Sequence, residues 1–172
     1  GEIMKEIDNE TLLMLISDHG FTSFERAVSI NSWLAKEGYI SLTEDISSED
    51  DGSLFRYVDW EKTKAYSLGF NGIYINLEGR EGKGIVKNKD KIVSEIIAKL
   101  ENLTDPKTGK KVLNKAYRRE EIYSGRFIDN APDIVIGFNP GYRMAWQTAV
   151  GGFTKDVIYD NEKKWEGDHL ID

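Results

Sequence analysis

Two short apolar runs, Thr11-Leu-Leu-Met-Leu-Ile16 and Ile134-Val-Ile136, limit the fold of this chain more than any other feature. Runs of this length with polar borders suit strands buried on both faces, and they are far too short to cross a bilayer. Thr11–Ile16 therefore reads as one buried strand and Asp133–Phe138 as another. Helical patterns lie between them. Asp90 to Asn102 places Ile92, Val93, Ile96, Ile97 and Leu100 on one stripe, the spacing of an amphipathic helix. Ser29–Glu37 reads as a second helix, with Trp33 and Leu34 on its buried side and Gly38 placed to end it. Strands interleaved with helices predict an α/β layered fold with a mainly parallel central sheet, in one domain spanning residues 1–172.

The remaining segments are read from composition. Residues 2–9 carry the pattern of a helix end, and short strands fit 65–68 and 73–77. Residues 43–53 form an acidic, Ser-rich loop without the alternating Asp spacing of an EF-hand. Asp105–Gly109 is a turn by composition, Val112–Tyr123 is charged and extended, and the chain becomes loop-rich from Asn139. Gly79–Gly84 matches neither common phosphate-binding glycine pattern, and Thr108-Gly-Lys-Lys111 has no strand leading into it. Arg118-Arg119, beside two glutamates, reads as a solvated face.

Composition then removes whole classes of function. Zero Cys excludes disulfides, thiolate catalysis and Cys-based metal sites. With 23 Lys and Arg against 30 Asp and Glu, the net charge of −7 argues against a nucleic-acid coat. No apolar stretch suggests a membrane segment, and the expected compartment is the cytoplasm. The chain opens at Gly1 inside a helical pattern and closes on Ile171-Asp172, which reads as an excised fragment.

Both histidines follow an aspartate, as Asp18-His19 and Asp168-His169. With 14 Asp in 172 residues, one such coincidence has a chance of about 8 %, and two together fall below about 1 %. Asp18-His19-Gly20 directly follows the run 12–16, at the carboxyl end of the expected strand, where open α/β sheets place ligands. A carboxylate beside an imidazole suits zinc or manganese, with Gly20 turning the backbone so that both side chains face one point. Loop and helix capping by the same residues is the plainer alternative. Arg143, in a Gly-Pro-rich loop after the strand 133–138, is a candidate for a substrate phosphate, with Tyr142 and Trp146 as candidate stacking partners; a salt bridge that pins the loop, and core or rim packing of the two aromatics, are the plainer alternatives.

The stretch Leu12–Phe21, with its Ser-Asp-His-Gly, resembles the type I phosphodiesterase/nucleotide pyrophosphatase family of the alkaline phosphatase superfamily. Asn76–Glu81, Ala131–Arg143 and Lys164–His169 are similar to the same family, so the likeness runs over nearly the whole chain and matches a C-terminal half. The resemblance implies an alkaline phosphatase-like fold and a two-metal hydrolase of small phosphorylated or nucleotide substrates. It implies two zinc ions, or manganese, with Asp18 and His19 on one ion and His169 on the other. It also implies a covalent intermediate on a Thr or Ser that precedes the Asp-His-Gly motif, a position this sequence does not contain. Asp168 is no ligand of the family, and its implied place is behind the site. Three ligands shared by two ions would hold metal weakly, so the chain alone is expected to be inactive. A phosphomonoesterase, phosphonate hydrolase or phosphomutase of the same superfamily, or a non-catalytic interaction domain on the same fold, remain alternatives. No nucleic-acid or membrane partner is expected, and a homo-dimer is expected through the truncated face.

Overall fold

The computed structural model describes residues 1–47 and 50–168. Two four-stranded sheets share one hydrophobic core. The first is organised around β1 (Thr22–Val28), which lies between β6 (Gly141–Met144) and β7 (Ile158–Asp160) and also pairs with the two-residue β8 (Gly167–Asp168). The second runs in the order β2 (Ala65–Leu68), β3 (Gly72–Ile75), β5 (Ile134–Phe138), β4 (Leu113–Arg118). Only β1 and β6 are parallel; every other pairing between named strands is antiparallel. The fold is thus mixed α/β, and the mainly parallel central sheet expected from sequence is corrected for the described residues. The reason is local. β2 and β3 are joined by a short turn, which can link only antiparallel neighbours.

Helices pack where their stripes predict. α2 (Ile30–Lys36) starts at Ser29, whose hydroxyl accepts from the Ser32 amide, and Trp33 and Leu34 face the core. Gly38 follows with a left-handed backbone, the conformation that lets a chain leave a helix sharply. Asn31 then ties α2 to β2: its Nδ2 donates to Ser67 O at 3.0 Å, and its Oδ1 accepts from Ser67 N at 2.8 Å. α3 (Lys89–Leu100) is capped by Asn88 and buries Val93, Ile96 and Leu100. The charged extended segment resolves into β4 followed by the single turn α4 (Arg119–Ile122). Among the described residues, no helix is long and apolar enough to cross a membrane.

Two expectations are refined and one is overturned. The helix at the start is only α1 (Ile3–Glu6), and it is exposed. The region after Asn139 is not merely loop: it holds β6 and the short helix α5 (Trp146–Ala149). Most importantly, Thr11–Ile16 forms no strand pairing, and its apolar side chains stand in water, with Leu12 81 % and Leu15 88 % exposed. A continuous apolar run records that a segment must be covered, not what covers it. Burial of each such side chain is worth about 1.5–3 kcal/mol.

A buried ion pair links β1 to the turn at 105–109. Arg26 Nε and Nη2 donate to the two Asp105 carboxylate oxygens, each at 2.9 Å, and the Tyr142 hydroxyl donates to Oδ2 at 3.1 Å. Burial alone would raise the pKa of Asp105. Hydrogen bonds from Arg26, the Lys107 amide and Tyr142 outweigh it and hold the carboxyl below its ordinary range. A depressed carboxyl contributes stability in full above its unfolded value, about pH 4, and loses it as pH falls through the folded value. Urea titrations from pH 5 to pH 2 should therefore show an acid-dependent loss that Asp105→Asn reduces. An unchanged acid limb in that variant would show that other groups set it.

Candidate functional site

Asp18 and His19 lie four and three residues before the amino end of β1, not at the carboxyl end of a strand, because residues 11–16 do not pair. Their side chains nevertheless converge. His19 Nε2 is 3.2 Å from Asp18 Oδ2, and both groups are open to solvent, the imidazole 43 % and the carboxylate 86 % exposed. His19 Nδ1 is 2.9 Å from the Gly20 carbonyl oxygen. A carbonyl oxygen only accepts, so Nδ1 carries the hydrogen. Nε2 is therefore the ring nitrogen that faces the carboxylate: it donates to Asp18 Oδ2 when the ring is protonated and carries the lone pair, the one a metal could use, when the ring is neutral. Gly20 does not adopt a positive φ. Its contribution is this carbonyl rather than the sharp turn expected of it.

The donor chemistry of the pair fits a divalent ion of the zinc or manganese type, whereas the number of donors does not suffice. Among the described residues no group of three or more His, Asp or Glu is arranged to hold a metal. His169, the third expected ligand, lies outside the described residues. Its neighbour Asp168 does not. Asp168 pairs with Thr22 and Gly167 with Ser23 across the β1–β8 ladder, and Phe24 N donates to Glu166 O at 2.8 Å. Residues 166–168 are thereby brought to the amino end of β1, which begins three residues after His19.

Arg143 stands in β6 beside β1, opposite Ala27, rather than in a loop. It is only 5 % exposed. Its guanidinium lies between two rings, 4.8 Å from the centre of Phe24 and 4.3 Å from that of Trp146. Nε donates to Met144 O at 3.0 Å and lies 3.0 Å from Asp168 Oδ2. Burial pushes its pKa down, and the charge of Asp168 offsets only part of that. Arg143 also lines a cavity of about 710 Å³ with Trp146, Tyr159, Lys155 and Lys163 on its wall.

Tyr142 is a core residue, the plainer of its two readings, rather than a stacking partner for substrate: its ring is buried and its hydroxyl is engaged by Asp105 and by Thr108 at 2.9 Å. Arg80, in the glycine-rich loop, is likewise spent inside the fold. It donates to Asp133 at 3.0 and 2.6 Å and to Glu81 at 2.8 Å, so the loop is a structural clamp and no anion cradle. Sequence reasoning missed Phe24 as half of the arginine sandwich. The only available signal was an aromatic in a segment whose Glu25 and Arg26 hide its strand character.

A family model described as Type I phosphodiesterase / nucleotide pyrophosphatase matches residues 1–169. No curated protein and no solved structure matches the chain.

Proposed function

The chain belongs to the type I phosphodiesterase / nucleotide pyrophosphatase family, a family of hydrolases, and on that premise we propose that it supplies part of the active site of a metal-dependent phosphohydrolase. Asp18 and His19 would hold one divalent ion, zinc or manganese, and His169 a second. When bound, such ions polarise phosphoryl oxygens and neutralise the charge that develops during displacement. The chain's own residues orient and screen. The Gly20 carbonyl fixes the His19 tautomer, and the aromatic sandwich holds the Arg143 cation on the wall of the cavity, where a substrate oxyanion can be met.

The nucleophile of this reading is a Thr or Ser that precedes the Asp-His-Gly motif in a longer polypeptide, where it would form the covalent intermediate. The 172 residues alone would be inactive. Substrates would be small phosphodiesters or pyrophosphates, nucleotides among them. The observation that supports the reading is the Thr22–Asp168 pairing, which sets Asp168 beside a strand that begins four residues after Asp18. The test is metal analysis and hydrolysis of a chromogenic phosphodiester by the full-length protein. Activity unaffected by exhaustive chelation would sink the reading.

The open apolar run supplies a second test. Leu12, Met14, Leu15 and Ile16 are exposed on both faces of an extended segment, and such a segment recruits another chain. The isolated 172-residue chain should therefore sediment as a dimer or larger species at high concentration, and Leu15→Asp should shift it toward monomer. A clean monomer of the unaltered chain would contradict this.

A further inference from the structure

Phe55, Trp60 and Tyr66 meet with ring centres 5.2 to 5.5 Å apart and every pair inclined at 66 to 88°. Rings so inclined do not cover one another face to face, and each of the three is only partly buried. With Asn76, Glu81, Gly82 and Lys83 they line a cavity of about 400 Å³, which shares no lining residue with the one beside Arg143. The backbone is bent to build it. Leu54 and Phe55 take φ of 60° and 57°, a conformation that bulky residues keep only where their surroundings enforce it. Their amides donate to Val150 O at 2.9 Å and Gly151 O at 3.1 Å. The bend leaves Leu54 81 % exposed and lays the Phe55 ring against Gly151, where an added Cβ would fall 2.6 Å from it.

The wall also holds an unmet acceptor. Asn76 is 0 % exposed, and its Nδ2 donates to the carbonyl oxygens of Trp60, Thr63 and Lys83 at 3.0, 2.9 and 3.0 Å, which fixes the orientation of the amide. Among the described residues, Asn76 Oδ1 is then the one buried side-chain oxygen or nitrogen without a hydrogen-bond partner. A bare acceptor in apolar surroundings is costly, and a donor that meets it is favoured. The charged residues of the wall are paired within the protein. Glu81 accepts from Arg80 Nε at 2.8 Å and from the Leu77 amide at 2.9 Å, and Lys83 Nζ lies 3.3 Å from Glu61 Oε1. Aromatic walls, matched charges and a single open acceptor suit an uncharged ring better than an ion. We propose that this cavity binds a neutral, planar nitrogen heterocycle, which packs against Phe55, Trp60 and Tyr66 and donates its N–H to Asn76 Oδ1. The site is additional to the phosphohydrolase reading and uses none of its residues.

The experiment uses the full-length protein, with indole as the probe and calorimetry as the readout. Benzofuran has the shape of indole with an oxygen in place of the N–H. Indole should bind, and benzofuran should bind about tenfold more weakly, the factor that one ordinary hydrogen bond supplies. Gly82→Leu tests the place. Gly82 is exposed, its φ is not positive, and an added Cβ meets nothing within 4 Å. The variant should therefore keep its melting temperature while the leucine takes up cavity space and weakens indole about tenfold or more. Equal affinities for indole and benzofuran would overturn the proposal, as would no indole binding up to its solubility limit or an indole affinity unaltered in Gly82→Leu. Tetramethylammonium held more tightly than indole would also overturn it, because the rings would then serve as a cage for a cation.

Discussion

Asp133→Ala should destabilise the protein by about 3–5 kcal/mol, the cost of removing one partner from a buried charge network. Asp133 is 1 % exposed and immediately precedes β5. Its Oδ2 accepts from the Ile75 amide at 2.8 Å and from Arg80 Nη2 at 2.6 Å, and Oδ1 accepts from Arg80 Nη1 at 3.0 Å. Lys89 and Arg119 stand at 3.8 and 3.7 Å. One carboxylate thus joins β3, the loop at Arg80, the start of α3 and α4. Without it, cations in a low-dielectric setting lose their common counter-charge, and the Ile75 amide loses its acceptor. A domain of this size should melt on the order of 10 °C lower, given about 2–4 °C per kcal/mol. Should the Ala variant fail to fold, Asp133→Asn supplies the comparison. It keeps the acceptor for Ile75 but not the charge, and should fall between the two. A melting temperature within about 2 °C of wild type for both variants would show that the network carries no stability.

The second large effect is on chemistry rather than on folding. His19→Ala and Asp18→Ala, each made in the full-length protein, should lower phosphodiester hydrolysis by about a hundredfold or more and reduce bound metal. Both side chains are open to solvent, the imidazole 43 % and the carboxylate 86 % exposed. Substitutions at such positions usually change stability by no more than about 0.5 kcal/mol. The two predictions therefore separate cleanly: Asp133→Ala moves the melting temperature, and His19→Ala moves activity at an unchanged melting temperature. Half or more of wild-type activity in either variant at position 18 or 19 would refute the metal assignment.

Where the chain's local pattern agrees with its environment, the fold was readable from residues alone. α3 follows from the stripe of Ile92, Val93, Ile96, Ile97 and Leu100, and β5 from an apolar run that really is buried. β1 was not readable, because Glu25 and Arg26 interrupt it. Arg26 becomes a strand-interior residue through Asp105, 79 positions away, and Asp160, 134 positions away. β6 was hidden by the Asn139-Pro-Gly141 sequence, which signals a turn, although the residues beyond it pair with β1. At the site, the two Asp-His pairs were visible as a pattern, but the partner of Asp168 and the sandwich around Arg143 were not.

Helix stripes, caps and turn residues are set by neighbours a few positions apart, and for these the order of amino acids was sufficient. The direction of the sheets, the pairing of Thr22 with Asp168 and the confinement of Arg143 depend on groups distant in the chain. A buried charge is tolerable only beside its counter-charge, and only the tertiary structure determines which counter-charge arrives. For the same reason the run from Leu12 to Ile16 announces a need for burial in its composition, while what would cover it is decided in space.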